Sequence, residues 1–184
     1  MLELRRLDID GLIEIRPKRF ADDRGFFSET WNAAAWREAG IEQAFVQDNH
    51  SWSVPRGTLR GLHFQTPPQA QAKLVRVTRG SVFDVAVDLR TGSPTYGQWA
   101  GVTLSALEWN QFLIPQGFAH GFLTLEPDTE VLYKASAPYS PSNDRAIRFD
   151  DPAIGVEWPL PSGDLILSDK DRLAPLLADV ETGF

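Results

Sequence analysis

Along most of the chain, apolar and polar residues alternate in short runs, the period-two pattern of strands with one buried face. LVRVTRGSVFDVAVDLR (74–90) reads as two such strands joined at Gly80-Ser81, a two-residue hairpin turn. QWAGVTLS, QFLIPQGFAHGFLTL, TEVLYKAS and AIRFDD continue the series, with Gly, Pro, Asn and Asp at the breaks. One early segment departs from it: WNAAAWREAG is Ala-rich, offers Trp31 and Trp36 for burial and stops at Gly40, which predicts a helix. The last third is rich in Pro and Asp and predicts irregular structure up to DKDRLAPLL, where a final helical turn is expected. No repeat, low-complexity tract or linker interrupts the chain. Many short, evenly spaced strands in 184 residues predict one mainly β domain, either a barrel or a sandwich.

A two-residue turn at Gly80-Ser81 would pair Val77 with Asp84, Val75 with Ala86 and Lys73 with Asp88. Lys73 then shares a face with valines and carboxylates. If that face points inward, the ammonium must be paired or functional; if outward, it is simply solvated. Periodicity leaves both open.

Composition narrows the setting. Hydrophobic residues make up 42% and charged residues 23%, a soluble globular profile, with no apolar run long enough to span a membrane. The opening MLELRRLDIDG lacks the apolar core of a signal peptide, so the cytosol is the expected compartment. The absence of cysteine excludes disulfides and thiolate–zinc sites. A net charge of -7 argues against nucleic acid as a partner. Yet Arg56, Arg60, Lys73, Arg76 and Arg79 cluster in one segment, either as a solvated face or as a patch for a small anionic ligand.

The chain has three histidines, His50, His63 and His120. His120 lies in PQGFAHGF, the PxGxxH spacing of the second cupin motif. Metal-binding cupins add an HxH pair from an earlier strand. Here LRGLHFQ supplies His63 but has Gln65 where the second histidine would stand, so no metal is expected. His63 and His120 remain as acid–base candidates, or as structural histidines. Their company is Arg60, Lys73, Tyr133 and the late carboxylates Asp169 and Asp171. A base, a phenol donor and a cation for an enolate suffice to invert a carbon next to a ketone. Arg60 and His63 are three residues apart, which in a flat strand sends them to opposite faces. Either Gly61 permits a bulge that re-aims one of them, or Arg60 sits at the barrel rim.

Taken together, DDRGFFSETW, QDNHS, LRGLHFQ, KLVRVTRGSVFDVAVDLR, TYGQW, PQGFAHGF, TEVLYK, DDPAIGVEWP and LSDKD closely resemble the dTDP-4-dehydrorhamnose 3,5-epimerases, a nucleotide-sugar branch of the cupins. The resemblance runs from about Gly11 to Leu177. It implies a mainly β, cupin-type jelly-roll barrel with a few short flanking helices. It places the general base on His63, the phenolic acid on Tyr133, the enolate-stabilising cation on Lys73 and the carboxylate that orients the base on Asp171, with Asp169 close by. His120 matches a supporting histidine of the substrate pocket. Arg24, Phe27 and Glu29 match contacts to the dTDP-sugar that reach across to a partner subunit, which implies a homodimer with shared sites. Gln47, Asn49, Arg60 and Lys170 would add contacts to base, sugar or diphosphate. Asp144 stands where the family usually has glutamate and Ala146 where glycine is common, so Asp144 keeps the charge on a shorter arm.

The implied reaction uses no cofactor: inversion at C3 and C5 of dTDP-4-dehydro-6-deoxy-D-glucose to give dTDP-4-dehydro-L-rhamnose. A mono-epimerase acting at one of these carbons would use the same residues. A 3,4-ketoisomerase or a non-catalytic sugar-binding cupin fits less well, because LRGLHFQ and LYK are both intact.

Overall fold

The computed structural model describes residues 2–184. In chain order its strands are β1 (Glu3–Arg6), β2 (Ile13–Arg16), β3 (Phe20–Asp22), β4 (Gly25–Phe27), β5 (Gln47–Ser53), β6 (Leu59–Gln65), β7 (Lys73–Arg79), β8 (Ser81–Asp88), β9 (Trp99–Ser105), β10 (Gln111–Ile114), β11 (Phe118–Thr124), β12 (Thr129–Ala135) and β13 (Asp144–Ala146). Two short helices join them, α1 (Ala33–Glu38) after β4 and α2 (Asp169–Arg172) near the end.

The strands form two facing antiparallel sheets. The first has the order β1-β2-β10-β7-β12-β5 and the second β13-β6-β11-β8-β9, while β3 and β4 make a separate hairpin. This is a jelly roll of the cupin type, flattened into two layers rather than closed by one continuous ladder.

Alternation decides what lies between the layers. Val75 and Val77 of β7, Val82 and Ala86 of β8, Phe112 of β10 and Phe122 of β11 point inward and pack together. The outer face of the second sheet is covered by the irregular C-terminal segment, whose Ile154, Leu177, Val180 and Phe184 pack on Leu62, Phe64, Val85 and Val87. The outer face of the first sheet receives α1. Asn32 caps this helix by accepting from Ala34 N and Ala35 N, and Trp36 packs on Ile13, Ile15, Leu74 and Leu113. With Trp36 only 1% exposed, its burial is worth roughly 3 kcal/mol.

One expected pairing is overturned. β7 and β8 are not a hairpin: β7 pairs with β10 and β12, and β8 with β11 and β9. The chain does turn sharply at Gly80, where φ is +75° and a Cβ would come within 2.4 Å of Thr129 Oγ1, but the turn hands it from one sheet to the other. Turn residues and alternation specify the reversal, not the hydrogen-bonding partner. Lys73 consequently pairs with Ile114 and Ala135 rather than Asp88, yet it does face inward, and Asp84 is the carboxylate that acts on it most strongly. AIRFDD is also shorter as a strand than expected, because the chain turns at Arg148–Asp151. No helix among the described residues is long and apolar enough to cross a membrane.

Candidate active site

The ladder between β6 and β11 pairs His63 with His120 and Arg60 with Phe122. Gly61 and Leu62 thus stand opposite the single residue Gly121, which is a β-bulge. An offset of three in sequence becomes two in the ladder, so Arg60 and His63 share the inner face, while Leu59 and Leu62 join the outer clusters. The bulge depends on glycine: Gly61 has φ +136°, and a Cβ there would lie 2.5 Å from Gly121 Cα.

The inner faces enclose a cavity of about 410 Å³. Arg60 and His63 line it from β6 and His120 from β11, in the second sheet; Lys73 and Tyr133 line it from β7 and β12, in the first. Lys170 and Asp171 enter from α2. His63 Nε2 lies 2.5 Å from Asp171 Oδ1. The other carboxylate oxygen accepts from Ser168 Oγ at 2.8 Å, and Ser168 caps α2 by accepting from Asp171 N. Asp171 is 4% exposed, whereas Asp169 faces solvent, so the two neighbouring carboxylates are told apart.

Burial pushes the Asp171 carboxyl up, but hydrogen bonds from His63 and Ser168 and the charges of His63 and Lys170 outweigh it and hold it below the usual range. An anionic Asp171 accepts a hydrogen bond from His63 Nε2–H, the tautomer that leaves the lone pair on Nδ1. Among the described residues Nδ1 has no hydrogen-bond partner.

Lys73 is desolvated, which lowers its pKa from 10.5 to about 8 despite the opposing pull of Asp84 and Asp144; Lys170 lowers it further. Its Nζ reaches toward the His63 carbonyl at 3.4 Å. Burial raises the Tyr133 phenol, against Arg60 and with Asp144, so it stays protonated at neutral pH. His120 forms a second imidazole–carboxylate pair, with Nε2 3.0 and 3.1 Å from the two oxygens of the fully buried Asp84. Desolvation lowers His120 and raises Asp84, and their mutual attraction opposes both shifts.

Of the other expected site residues, Asp144 joins the rim by an ion pair with Lys170 at 2.5 Å. Gln47 donates to Asn49 Oδ1 at 2.9 Å on β5, and Asn49 stands opposite Tyr133 in the ladder. Arg24, Phe27 and Glu29 do not reach this chain's cavity. Arg24 pairs with Asp22, Phe27 is 69% exposed, and Glu29 lines a surface pocket beside Trp36. Among the described residues, no three His, Cys, Asp or Glu side chains gather as a metal site would need. Gln65 is instead engaged with the backbone: its amide donates to the carbonyls of Gln69 at 2.6 Å and Pro138 at 3.1 Å, and its oxygen accepts from Ser140 N at 2.8 Å.

Two contributors escape a reading of the sequence by catalytic residue type. Ser168 had a usable signal, because Ser168 and Asp171 form the S-x-x-acid pattern of a helix start. Asp84 had a weaker one, a carboxylate inside the apolar run SVFDVAVD.

Comparison with known proteins agrees with this architecture. The family model described as dTDP-4-dehydrorhamnose 3,5-epimerase matches residues 6–179. A relative of that name from Methanothermobacter thermautotrophicus is 54% identical over 175 residues, 94% of each chain. Another from Pseudomonas aeruginosa is 51% identical over 181 residues, 98% of each chain. The crystal structure of the dTDP-6-deoxy-D-glucose-3,5-epimerase of Legionella pneumophila, in complex with dTDP-4-keto-L-rhamnose, superposes with a TM-score of 0.93 at 46% identity, covering 98% of this chain and 95% of that one. By a family match that takes in every strand of both sheets except part of β1, and by relatives at half identity along almost the whole length, this chain belongs to the dTDP-4-dehydrorhamnose 3,5-epimerase family.

Proposed function

We propose that this protein inverts C3 and C5 of dTDP-4-dehydro-6-deoxy-D-glucose without a cofactor, giving dTDP-4-dehydro-L-rhamnose for L-rhamnose biosynthesis. The observation that carries the reading is the placement of His63 and Tyr133 on opposing sheets across one cavity. Facing sheets stand about 10 Å apart, which leaves a sugar ring room between a base on one side and an acid on the other.

The C4 ketone acidifies the hydrogens at C3 and C5. His63, oriented by Asp171, takes each as a proton through its free Nδ1. The electron pair moves onto the C4 oxygen as an enolate, beside the Lys73 ammonium. Tyr133 returns a proton to the opposite face, which inverts the carbon. Lys73 faces charge that exists only once the proton has left, so it favours the transition state over the bound substrate. Arg60, His120, Asn49, Gln47, Asp144 and Lys170 hold sugar and nucleotide. Arg24, Phe27 and Glu29 serve the site of a second subunit in a homodimer; their exposure in the β3–β4 turn, on β4 and in the segment beyond supports that role. The cysteine-free composition agrees with action in the cytosol.

The test is exchange in D2O followed by proton NMR with dTDP-4-dehydro-6-deoxy-D-glucose. Deuterium is expected at both C3 and C5. His63→Ala should abolish it, a loss of about 10²–10⁴-fold for a missing general base. Tyr133→Phe should still exchange protons while losing inversion. Exchange at one carbon alone would make the protein a mono-epimerase, and none at either would end the enzymatic reading.

A further inference from the structure

Gln65 stands two residues beyond His63 on the same inner face of β6, yet it takes no part in the chemistry proposed above. It is 3% exposed, and three backbone groups occupy its amide: the carbonyls of Gln69 and Pro138 accept from it, and Ser140 N donates to it. Two of these three flank Tyr139. That residue's own amide donates to Gln47 Oε1 at 2.9 Å, its hydroxyl lies 3.4 Å from Asp144 Oδ2, and its ring is 58% exposed. Asp144 is the cross-strand partner of Gln65 and holds Lys170 at the cavity wall. Among the described residues, Gln65 is thus the one side chain whose hydrogen bonds join the strand carrying His63 to both neighbours of Tyr139 in the rim segment ending at Asp144.

We infer that Gln65 is a positioning residue for substrate binding: it fixes the Pro138–Asp144 rim, and with it Tyr139 and the Asp144–Lys170 pair, relative to His63. Its chemistry suits the task. A buried amide with all three bonds made to backbone is costly to disturb, because losing it strands two carbonyls and one amide N–H. A histidine there, as in a metal-binding cupin, would not supply two donors and an acceptor in this geometry. The rim carries an exposed aromatic ring and an ion pair and makes none of the contacts to the reacting carbons. Gln65 should therefore govern affinity for the nucleotide end rather than the proton transfers at the sugar end.

The inference rests on the epimerase reading for its substrate, and titration with dTDP alone separates the two. Gln65→Met, of similar length and without polar atoms, should weaken dTDP binding and raise KM by about tenfold, the equivalent of one or two buried hydrogen bonds. The D2O exchange rate at saturating substrate should stay within about threefold of wild type. Gln65→Glu, which keeps the acceptor for Ser140 N but turns two donors into an acceptor, serves if the Met variant does not fold, and it should show the same split. In the background of Tyr139→Ala, the Gln65 substitution should add little further loss of dTDP affinity, because both act through one rim. A fall in the saturated exchange rate with unchanged dTDP affinity would overturn the inference, as would losses that multiply in the double variant. A wild-type protein that binds dTDP but exchanges no proton would refute the epimerase reading while leaving the affinity prediction standing. Failure of wild type to bind dTDP would remove both.

Discussion

At Lys73, burial and function pull on the same proton. The ammonium is held in a desolvated cavity that lowers its pKa to about 8, and only its charged form can meet an enolate. The protonated fraction is full well below pH 8 and disappears as the pH rises through it. kcat/KM should therefore fall on the alkaline side with a midpoint near 8. Lys73→Arg should move that limb beyond the accessible range, at reduced rate, because the guanidinium stays charged. A flat profile up to pH 9.5 in the wild-type protein would show that Lys73 does not act as the cation. Tyr133 is the complementary case: burial pushes its phenol up, which keeps the proton that an acid must deliver. Asp171 shows the reverse balance, with hydrogen bonds overcoming burial, and so keeps the charge needed to orient His63.

Two elements carry weak points that can be tested, β6 inside the site and the loop after β8 outside it. β6 needs its bulge to bring Arg60 and His63 to one face. Gly61→Ala would force a Cβ to 2.5 Å from the backbone of Gly121 at φ +136°. A loss of roughly 2–4 kcal/mol in urea unfolding is expected, with exchange activity lost even where the protein stays folded. The loop after β8 is organised by Asp88, which is fully buried and receives bonds from Arg90, Ser93 and Thr95. Burial alone would raise its pKa, but the bonds from Arg90, Ser93 and Thr95 hold it far below the ordinary 3.8. A folded-state pKa below the unfolded one contributes stability that is complete above about pH 4 and drains away as the pH falls further. Asp88→Asn should cost roughly 2–3 kcal/mol at pH 7 and flatten the acid limb of stability, read as urea midpoints between pH 2 and 7.

For the molecule as a whole, the cavity and the β3–β4 hairpin are separated. The cavity holds the groups for proton transfer, while Arg24 and Phe27 sit exposed on the hairpin, away from it. If the hairpin completes the site of a second copy, two inactive variants should rescue each other. Subunits carrying His63→Ala, mixed after unfolding with subunits carrying Arg24→Ala, should recover activity that neither has alone, since a hybrid dimer contains one site with both residues intact. No recovery, with hybrids verified by mass spectrometry, would place Arg24 outside the shared site.

The central strands, α1 and the last helical turn were legible because each rests on local chemistry: alternation, an Ala-rich run, a stopping glycine. The motifs were legible too, since their residue types and order are properties of the chain itself. What the sequence could not determine was pairing. It put β7 and β8 in one hairpin, because a glycine turn reads the same whether the next strand folds back alongside or crosses to the facing sheet. It left open whether a bulge at Gly61 or a place at the rim brings Arg60 to His63, because a bulge is defined by the count of residues on the partner strand, here one Gly121 against two. It left Asp169 and Asp171 as alternatives, because only the turn of α2 buries one and exposes the other. The sequence by itself therefore determined the central elements and the chemical inventory, which depend on near neighbours. Only the tertiary structure decided which groups share a cavity, because that depends on contacts between residues far apart in the chain, such as His63 and Asp171, separated by 108 positions.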